Sequence, residues 1–509
     1  MTTPQPTTTA AGTPVRTPSL AKMGVFTLAM INVSAIVSLR GLPAESTYGL
    51  SSAFYYIFAA IFFLVPVSLV AAELTTGWPQ KGGVFRWVGE AFGPRLGFLA
   101  IWLQWIESTI WFPTVLTFAA VSLAFIGENQ AWDAAVAANK WYVLAIVLFV
   151  YWLATILNFR GMRMSGSITK WGTLIGTVIP AAIIIVMGLI YWGAGNHIDI
   201  NMSPQKFFPD LTKFDNLVLA ASIFLFYAGM EMSAVHVKDV NDPGRNYPLA
   251  ILTAAIITVI IFVFGTLAIG FIIPGSQINL VQSLLIAFDK FFGYFHIGWF
   301  GPIMAICLAF GVLAQVVAWV GGPSKGLLTV GYAGYLPPTM QKTNKHGVQV
   351  GILMIQAIIV TILSIFFVIM PSVQTAYQII SQLTIILYLI MYMLMFAAGI
   401  YLRYKEPQVK RTFRIPGGKA GMWIVGGIGL LGALAAFIVS FIPPSQIPTG
   451  SPAFYVIVLI LGALIFSGIP FLIYAMRKPS WKNAINSKDF EPFDWELKEQ
   501  QKVTGTHEQ

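Results

Sequence analysis

Apolar residues run along this chain in long blocks, cut by short polar stretches. A helix needs ~20 mostly apolar residues to cross hydrocarbon. Twelve segments meet that rule, near 23–48, 51–73, 96–126, 141–159, 168–192, 216–237, 247–273, 298–321, 349–370, 375–402, 421–442 and 452–476. The pattern predicts an all-α polytopic membrane protein with twelve transmembrane helices. The stretch SLRGLP, Ser38 to Pro43, interrupts the first block with an arginine, a glycine and a proline. In hydrocarbon such a break is tolerated only where it is buried in protein or lines a cavity. Pro43 removes an N–H and clashes with the preceding turn, and Gly41 lowers the cost of a bend. The pattern therefore predicts one half-helix ending near Ser38 and another starting near Pro43, where proline suits a first turn. The N–H groups freed between them suit a carboxylate.

The sixth block holds a second candidate break, FLFYAGMEMSAVHV, with Tyr227, Gly229 and Glu231 close together. Interrupted helices at matching places in two halves point to an inverted-repeat transporter with a midplane site. Taken alone, Gly229 is equally a contact that lets two helices pack closely.

Composition supports the membrane reading. The chain is 57% hydrophobic and 10% charged, where a soluble domain is ~25% charged. The formal charge of +10 raises the question of a nucleic-acid partner. Distribution answers it: of 30 Lys and Arg, 25 fall on the side of the N-terminal tail, 4 on the other side, and Arg40 inside the first block. This is a positive-inside signature, which puts both termini in the cytoplasm and reserves the basic surface for orientation and lipid. The single cysteine, Cys307, excludes an intrachain disulfide. Residues 1–21, rich in Thr and Pro, read as a disordered cytoplasmic tail. No nucleotide-binding loop, metal-ligand spacing or catalytic constellation stands out, so neither an enzyme nor a cofactor or metal is expected.

Ionisable groups inside the spans sharpen the site. A charge at the bilayer centre costs at least ~2.5–3.5 kcal/mol. Arg40 cannot shed its proton, so it needs a carboxylate: Glu107, Glu231 or a substrate. Glu107 lies among Trp102, Trp105 and Trp111, an apolar setting that makes it a candidate proton site or a structural group. Glu231 is the other coupling candidate. His236 is read as a helix-end contact before a proton relay. Gln315 and Trp319 share a helix face, as do Tyr388 and Tyr392. Both pairs suit a polar ligand or ordinary helix packing.

At these residues the chain resembles the glutamate/GABA antiporter family of the amino acid–polyamine–organocation superfamily. The likeness runs over roughly 24–476 and is carried by PVSLVAAELTT, GGVFRWVGEAFGPRLGF, FYAGMEMSAVHV, NDPGRNYPLA, GVLAQVVAWVGGPSKG, KRTFRIPGGK and AFIVSFIPP in that order. The resemblance implies a LeuT-like fold: a first five-helix repeat over 22–192, an inverted copy over 193–403, two further helices over 404–476 and a cytoplasmic C-terminal tail over 477–509. It also implies exchange of an external amino acid for an internal one or for a decarboxylation product in a bacterial inner membrane, working alongside an intracellular decarboxylase. The expected substrate path holds Ser38, Arg40, Gly41, Leu42, Pro43, Tyr227, Gly229, Glu231, Gln315, Trp319, Tyr388 and Tyr392. The chain departs from the family's pattern in three places. Gln315 stands where well-known members carry glutamate. Arg40-Gly41-Leu42 replaces an aromatic and acidic pair, which favours an anionic or carboxylate-rich substrate or requires Glu107 as a partner. The tail holds one histidine, His507, which argues against a histidine-bearing plug.

Overall fold

The structure is a computed structural model, and it describes residues 23–127, 129–209, 221, 223, 224, 226–232, 240–444, 451–482 and 490–505. The expected N-terminal tail, His236 and His507 lie outside these residues. Among the described residues ten helices are long and apolar enough to cross a membrane. They are α3 (Ser51–Gly77), α5 (Pro94–Ala124), α7 (Lys140–Phe159), α8 (Ser167–Gly193), α9 (Pro243–Ile272), α11 (Gly298–Tyr332), α12 (Val350–Ile369), α13 (Val373–Lys405), α14 (Gly418–Val439) and α15 (Pro452–Ala475). The two expected spans outside this group are the first and the sixth. The first is split into α1 (Val25–Ile36) and α2 (Leu42–Ser46), with a 3₁₀ turn at Leu39–Gly41 between them. The sixth lies partly outside the described residues.

Short helices join the spans: α4 (Val84–Phe92), α6 (Gln130–Ala137), α10 (Ser283–Tyr294) and the terminal α16 (Asp494–Gly505). None reaches the length at which an apolar block announces a span. α5 is the centre of the bundle, packed against α4, α7, α11 and α13. Its best window is 94% buried, against 11% for α15, whose apolar side chains face outward. With bilayer as solvent, that outward face needs no protein cover.

Two spans carry a π turn, Ala60–Leu64 in α3 and Leu174–Val178 in α8. Each lies just ahead of a proline, Pro66 or Pro180, whose missing N–H leaves a carbonyl one turn back without its usual donor. The second turn carries Gly176, where an added Cβ would lie 2.4 Å from Gly311 of α11. Backbones approach this closely only with small residues at the crossing.

At the end of the bundle expected to be cytoplasmic, two ionic clamps hold the loops. Arg403 grips Glu73 with both arms of its guanidinium, Nε and Nη2 each at 2.5 Å, and Ile415 N donates to the same carboxylate at 2.8 Å. Arg411 adds a contact at 3.4 Å and lies over the Trp78 ring. The KRTFRIPGGK loop is thereby fastened to the end of α3. The second clamp holds the C-terminal segment. Arg86 of α4 donates to the Glu491 and Pro492 carbonyls at 2.6 and 2.9 Å and pairs with Glu90 and Asp494. Phe493 is fully buried, and its ring fills the space a Cβ on Gly89 would occupy, 2.4 Å away. Lys498 closes the contact on Glu406 at 2.6 Å.

Burial holds the Glu90 carboxyl at about 7, above its ordinary 4.5, against the opposing pull of Arg86. The folded protein therefore keeps a proton there that the unfolded chain releases near 4.5. Through this group stability is greatest below that value and falls as pH rises to about 7. Thermal unfolding of the detergent-purified protein between pH 4.5 and 7.5 checks this: Glu90→Gln is expected to flatten the decline relative to wild type. Equal slopes would contradict it.

Candidate functional site

The first break follows from its residues. α1 closes with Val37 N donating to Val33 O at 2.8 Å, after which Val37 and Ser38 are extended. The chain then turns through Leu39–Gly41, and Pro43 sits in the first turn of α2. The opening is thus slightly earlier than the sequence predicts, and its second half is five residues long. So short a helix has little macrodipole. Its exposed N–H groups, taken singly, are what this break offers a carboxylate.

Gly41 is required by space. A Cβ there would lie 2.1 Å from the ring of Phe226, at the threshold of the second break. Space is also tight at the second break. Gly229 has φ +113, a conformation open to glycine, and a Cβ on it would lie 3.2 Å from the Trp319 ring and 3.7 Å from Ile36 at the end of α1. The first break therefore presses on the second through Gly41 and the Phe226 ring, while Gly229 of the second packs on the Trp319 ring of α11 and on Ile36. Their far ends are tied too: Met23 and Val240 form a bridge, and Asn241 N donates to Met23 O at 3.0 Å.

Side chains of α11 and α13 take the backbone groups that the breaks release. Trp319 Nε1 donates to Ala35 O at 3.2 Å. Gly229 N donates to Tyr392 OH at 2.8 Å, and that hydroxyl donates onward to Glu231 Oε2 at 2.6 Å. Glu231 Oε1 accepts from Tyr388 OH at 2.5 Å and from Gln104 Nε2 at 2.9 Å. The Tyr388 and Tyr392 rings stack with centroids 4.7 Å apart. Glu231 is thus a buried carboxylate with three donors, an arrangement that makes burial tolerable without an ion pair.

Arg40 has no carboxylate partner among the described residues, so the expected pairing with Glu107 or Glu231 is absent. Its Nη1 donates to Tyr377 OH at 2.9 Å and to Thr114 Oγ1 at 3.4 Å. Its guanidinium carbon lies 5.4, 5.7 and 5.8 Å from the ring centres of Trp111, Phe226 and Tyr377. Aromatic faces attract a cation, and they do so without occupying its N–H groups. Glu107 is buried on α5, with its Oε1 lacking a hydrogen-bond partner.

These groups surround a cavity of about 30 Å³, lined by Ser38, Arg40, Trp111, Gln315, Trp319 and Tyr388 together with Ala35, Ile36, Phe226 and Ala228. That is room for about one water, so an amino acid enters only when these walls part. Of the expected residues, Ser38, Arg40, Gln315, Trp319 and Tyr388 line the cavity. Gly41, Gly229, Glu231 and Tyr392 do not line it but lie against lining residues, on Phe226, Trp319 and Tyr388. Leu42 and Pro43 shape the turn, with Leu42 packed on Gly265 of α9. Tyr227 points away, donating to Tyr56 O at 3.1 Å. Trp111, Thr114, Tyr377 and Gln104 were not foreseen. Gln104, one turn before Glu107 in WLQWIEST, is the one whose position carried a signal. Glu45, fully buried on α2, was also passed over.

The sequence profile of the family described as Amino acid permease matches residues 23–464. The chain is 40% identical to the Uncharacterized transporter lpg1691 of Legionella pneumophila, over 88% of this chain and 96% of that one. It is 31% identical to a Glutamate/gamma-aminobutyrate antiporter of Lactococcus lactis, over 90% and 91% of the two chains. It is 21% identical to a Probable agmatine/putrescine antiporter of the same species, over 83% and 88%. The chain belongs to the amino acid permease family of the amino acid–polyamine–organocation superfamily. Within it, the 31% identity to a Glutamate/gamma-aminobutyrate antiporter over most of both chains supports the glutamate/GABA antiporter branch that the motifs resemble.

Replacing Gly41 by alanine tests the interlock of the two breaks. The methyl group meets the Phe226 ring in a full site, where overpacking costs ~1–3 kcal/mol. Gly41→Ala is expected to unfold at lower temperature and to lose transport, and adding Phe226→Ala should restore part of the stability. A Gly41→Ala protein as stable as wild type would mean that the contact carries no weight.

Proposed function

We propose that this protein is a secondary-active amino-acid antiporter working by alternating access in a bacterial inner membrane, with both termini in the cytoplasm. It takes up a carboxylate-bearing amino acid such as glutamate in exchange for an internal amino acid or a decarboxylation product such as GABA. Such exchange couples functionally to an intracellular decarboxylase. The observation that carries this reading is the pair of opposed breaks meeting at one cavity. Released N–H groups near Ser38–Gly41 suit the substrate α-carboxylate, and carbonyls of the turn at 227–229 suit its ammonium. The same pairing supports an inverted repeat, 22–192 against 193–403, as the frame that rocks around the site. The small cavity supports a step in which the breaks separate to admit the ligand. Counterflow in liposomes tests the proposal: preloading with GABA or glutamate should accelerate labelled glutamate uptake at least ~10-fold over empty vesicles. No acceleration by any preloaded amino acid would refute it.

One observation favours a second reading of the same site. The buried Glu107 Oε1 has no hydrogen-bond partner, which leaves it available to take up and release a proton. A proton-coupled symporter would use it so. In that case an inward proton gradient drives uptake into unloaded vesicles, and Glu107→Gln abolishes the gradient effect while leaving exchange intact. Gradient-independent uptake in wild type would exclude it.

A further inference from the structure

We infer that Arg40, positioned by Tyr377 and Thr114, is the subsite for the substrate's distal carboxylate, the one that an acidic amino acid and its decarboxylated amine have in common. The inference deepens the exchange reading above and rests on it.

A guanidinium offers five N–H donors in a fixed fork. In Arg40 the two on Nη1 meet the hydroxyls of Tyr377 and Thr114. Nε is buried and has no partner. Nη2 makes no hydrogen bond among the described residues either. The Nε and Nη2 edge is the one that takes a carboxylate side-on through two parallel bonds. Arg40 lines the cavity, so a ligand entering there meets an unused fork. The residue is 3% exposed, and water does not reach it as it would a surface arginine. The three rings around it hold the planar group in place and supply no hydrogen-bond acceptor of carboxylate strength. Nearby carboxylates do not compete: Glu231 is saturated by Gln104, Tyr388 and Tyr392, and Glu107 forms no ion pair with Arg40.

The chemistry of exchange gives this fork a use. Loss of CO₂ from an acidic amino acid removes the α-carboxylate and leaves the amine and the distal carboxylate. A site that reads the distal group holds both partners of the exchange with the same contact. A site that reads the α-carboxylate alone holds only one. Loss of CO₂ from a basic amino acid leaves a diamine or guanidino amine with no carboxylate at all, and a cation beside Arg40 is repelled. The subsite therefore selects acidic amino acids and ω-amino acids of similar reach, and it rejects polyamines. The carrier without substrate also keeps Arg40 unpaired as its walls move, which disfavours reorientation of the empty form and enforces exchange.

Proteoliposomes carrying wild type, Arg40→Gln and Arg40→Lys test this with glutamate and with glutamine, which has the same shape without the distal charge. In Arg40→Gln the glutamate concentration for half-saturation should rise ~100-fold, because a buried polar site discriminates strongly against a missing partner. That for glutamine should fall or stay within ~3-fold, and Arg40→Lys should recover part of the glutamate preference. A purely structural role for Arg40 would shift both substrates together and would overturn the inference, as would wild-type exchange of putrescine on a par with glutamate. Should Arg40→Gln fail to fold, thermal unfolding of purified wild type decides: glutamate and GABA should each raise the unfolding temperature and putrescine should not, the reverse order being contrary. If wild type exchanges no amino acid, the transport reading itself falls, and this one with it.

Discussion

Everything at the centre of this molecule answers to one constraint: in hydrocarbon, a peptide group that leaves the helix must find a partner inside the protein. The first and sixth helical segments both leave the helix at facing positions. Trp319 takes the carbonyl of Ala35, and Tyr392 takes the N–H of Gly229. Those two side chains come from α11 and α13, the helices that pack most closely on the central α5. The breaks are thus held by the rigid core and by each other, through Gly41 on Phe226 and Gly229 on Trp319. A partner that binds a released group also blocks it. A ligand held by those backbone groups would have to displace the tryptophan or tyrosine contact, at little net change in hydrogen bonds.

The buried charges divide by the same logic. Glu73 and Arg403 pair at one end of the bundle, where loop groups of Ile415 and Gly418 complete their hydrogen bonds, and breaking a buried pair by removing one partner costs ~3–5 kcal/mol. Glu231 is satisfied without a cation, by three neutral donors. Arg40 is satisfied only on one nitrogen. Glu107, buried with one oxygen unpartnered, and Arg40, with its Nε unpartnered, are thus deep charges that the fold leaves partly open.

Much of this was legible in the sequence, and the parts that were not share a cause. Long apolar blocks fixed ten spans because length alone identifies a membrane helix. Gly41, Pro43 and Gly229 disclosed the breaks because their backbone chemistry is local. That Gln315 with Trp319, and Tyr388 with Tyr392, share a helix face followed from helical spacing. What stayed hidden depends on contacts far apart along the chain. Arg40 was expected to meet Glu107, Glu231 or a substrate carboxylate, and its partners within the protein are the hydroxyls and rings of Thr114, Tyr377, Trp111 and Phe226. Three of those four are residues that sequence reading treats as ordinary packing. The contact between α4 and the segment from Phe490 was not legible because it joins Arg86 and Gly89 to residues about 400 positions along the chain.

Accessibility at Ser38 is the most direct measure of whether the two breaks part to form a substrate site. With Cys307 replaced by serine, the Ser38→Cys protein in liposomes offers one thiol at the first break. A membrane-impermeant thiol reagent should label it, and saturating glutamate should slow that labelling. A thiol that never reacts, or that reacts equally with and without substrate, would contradict the account.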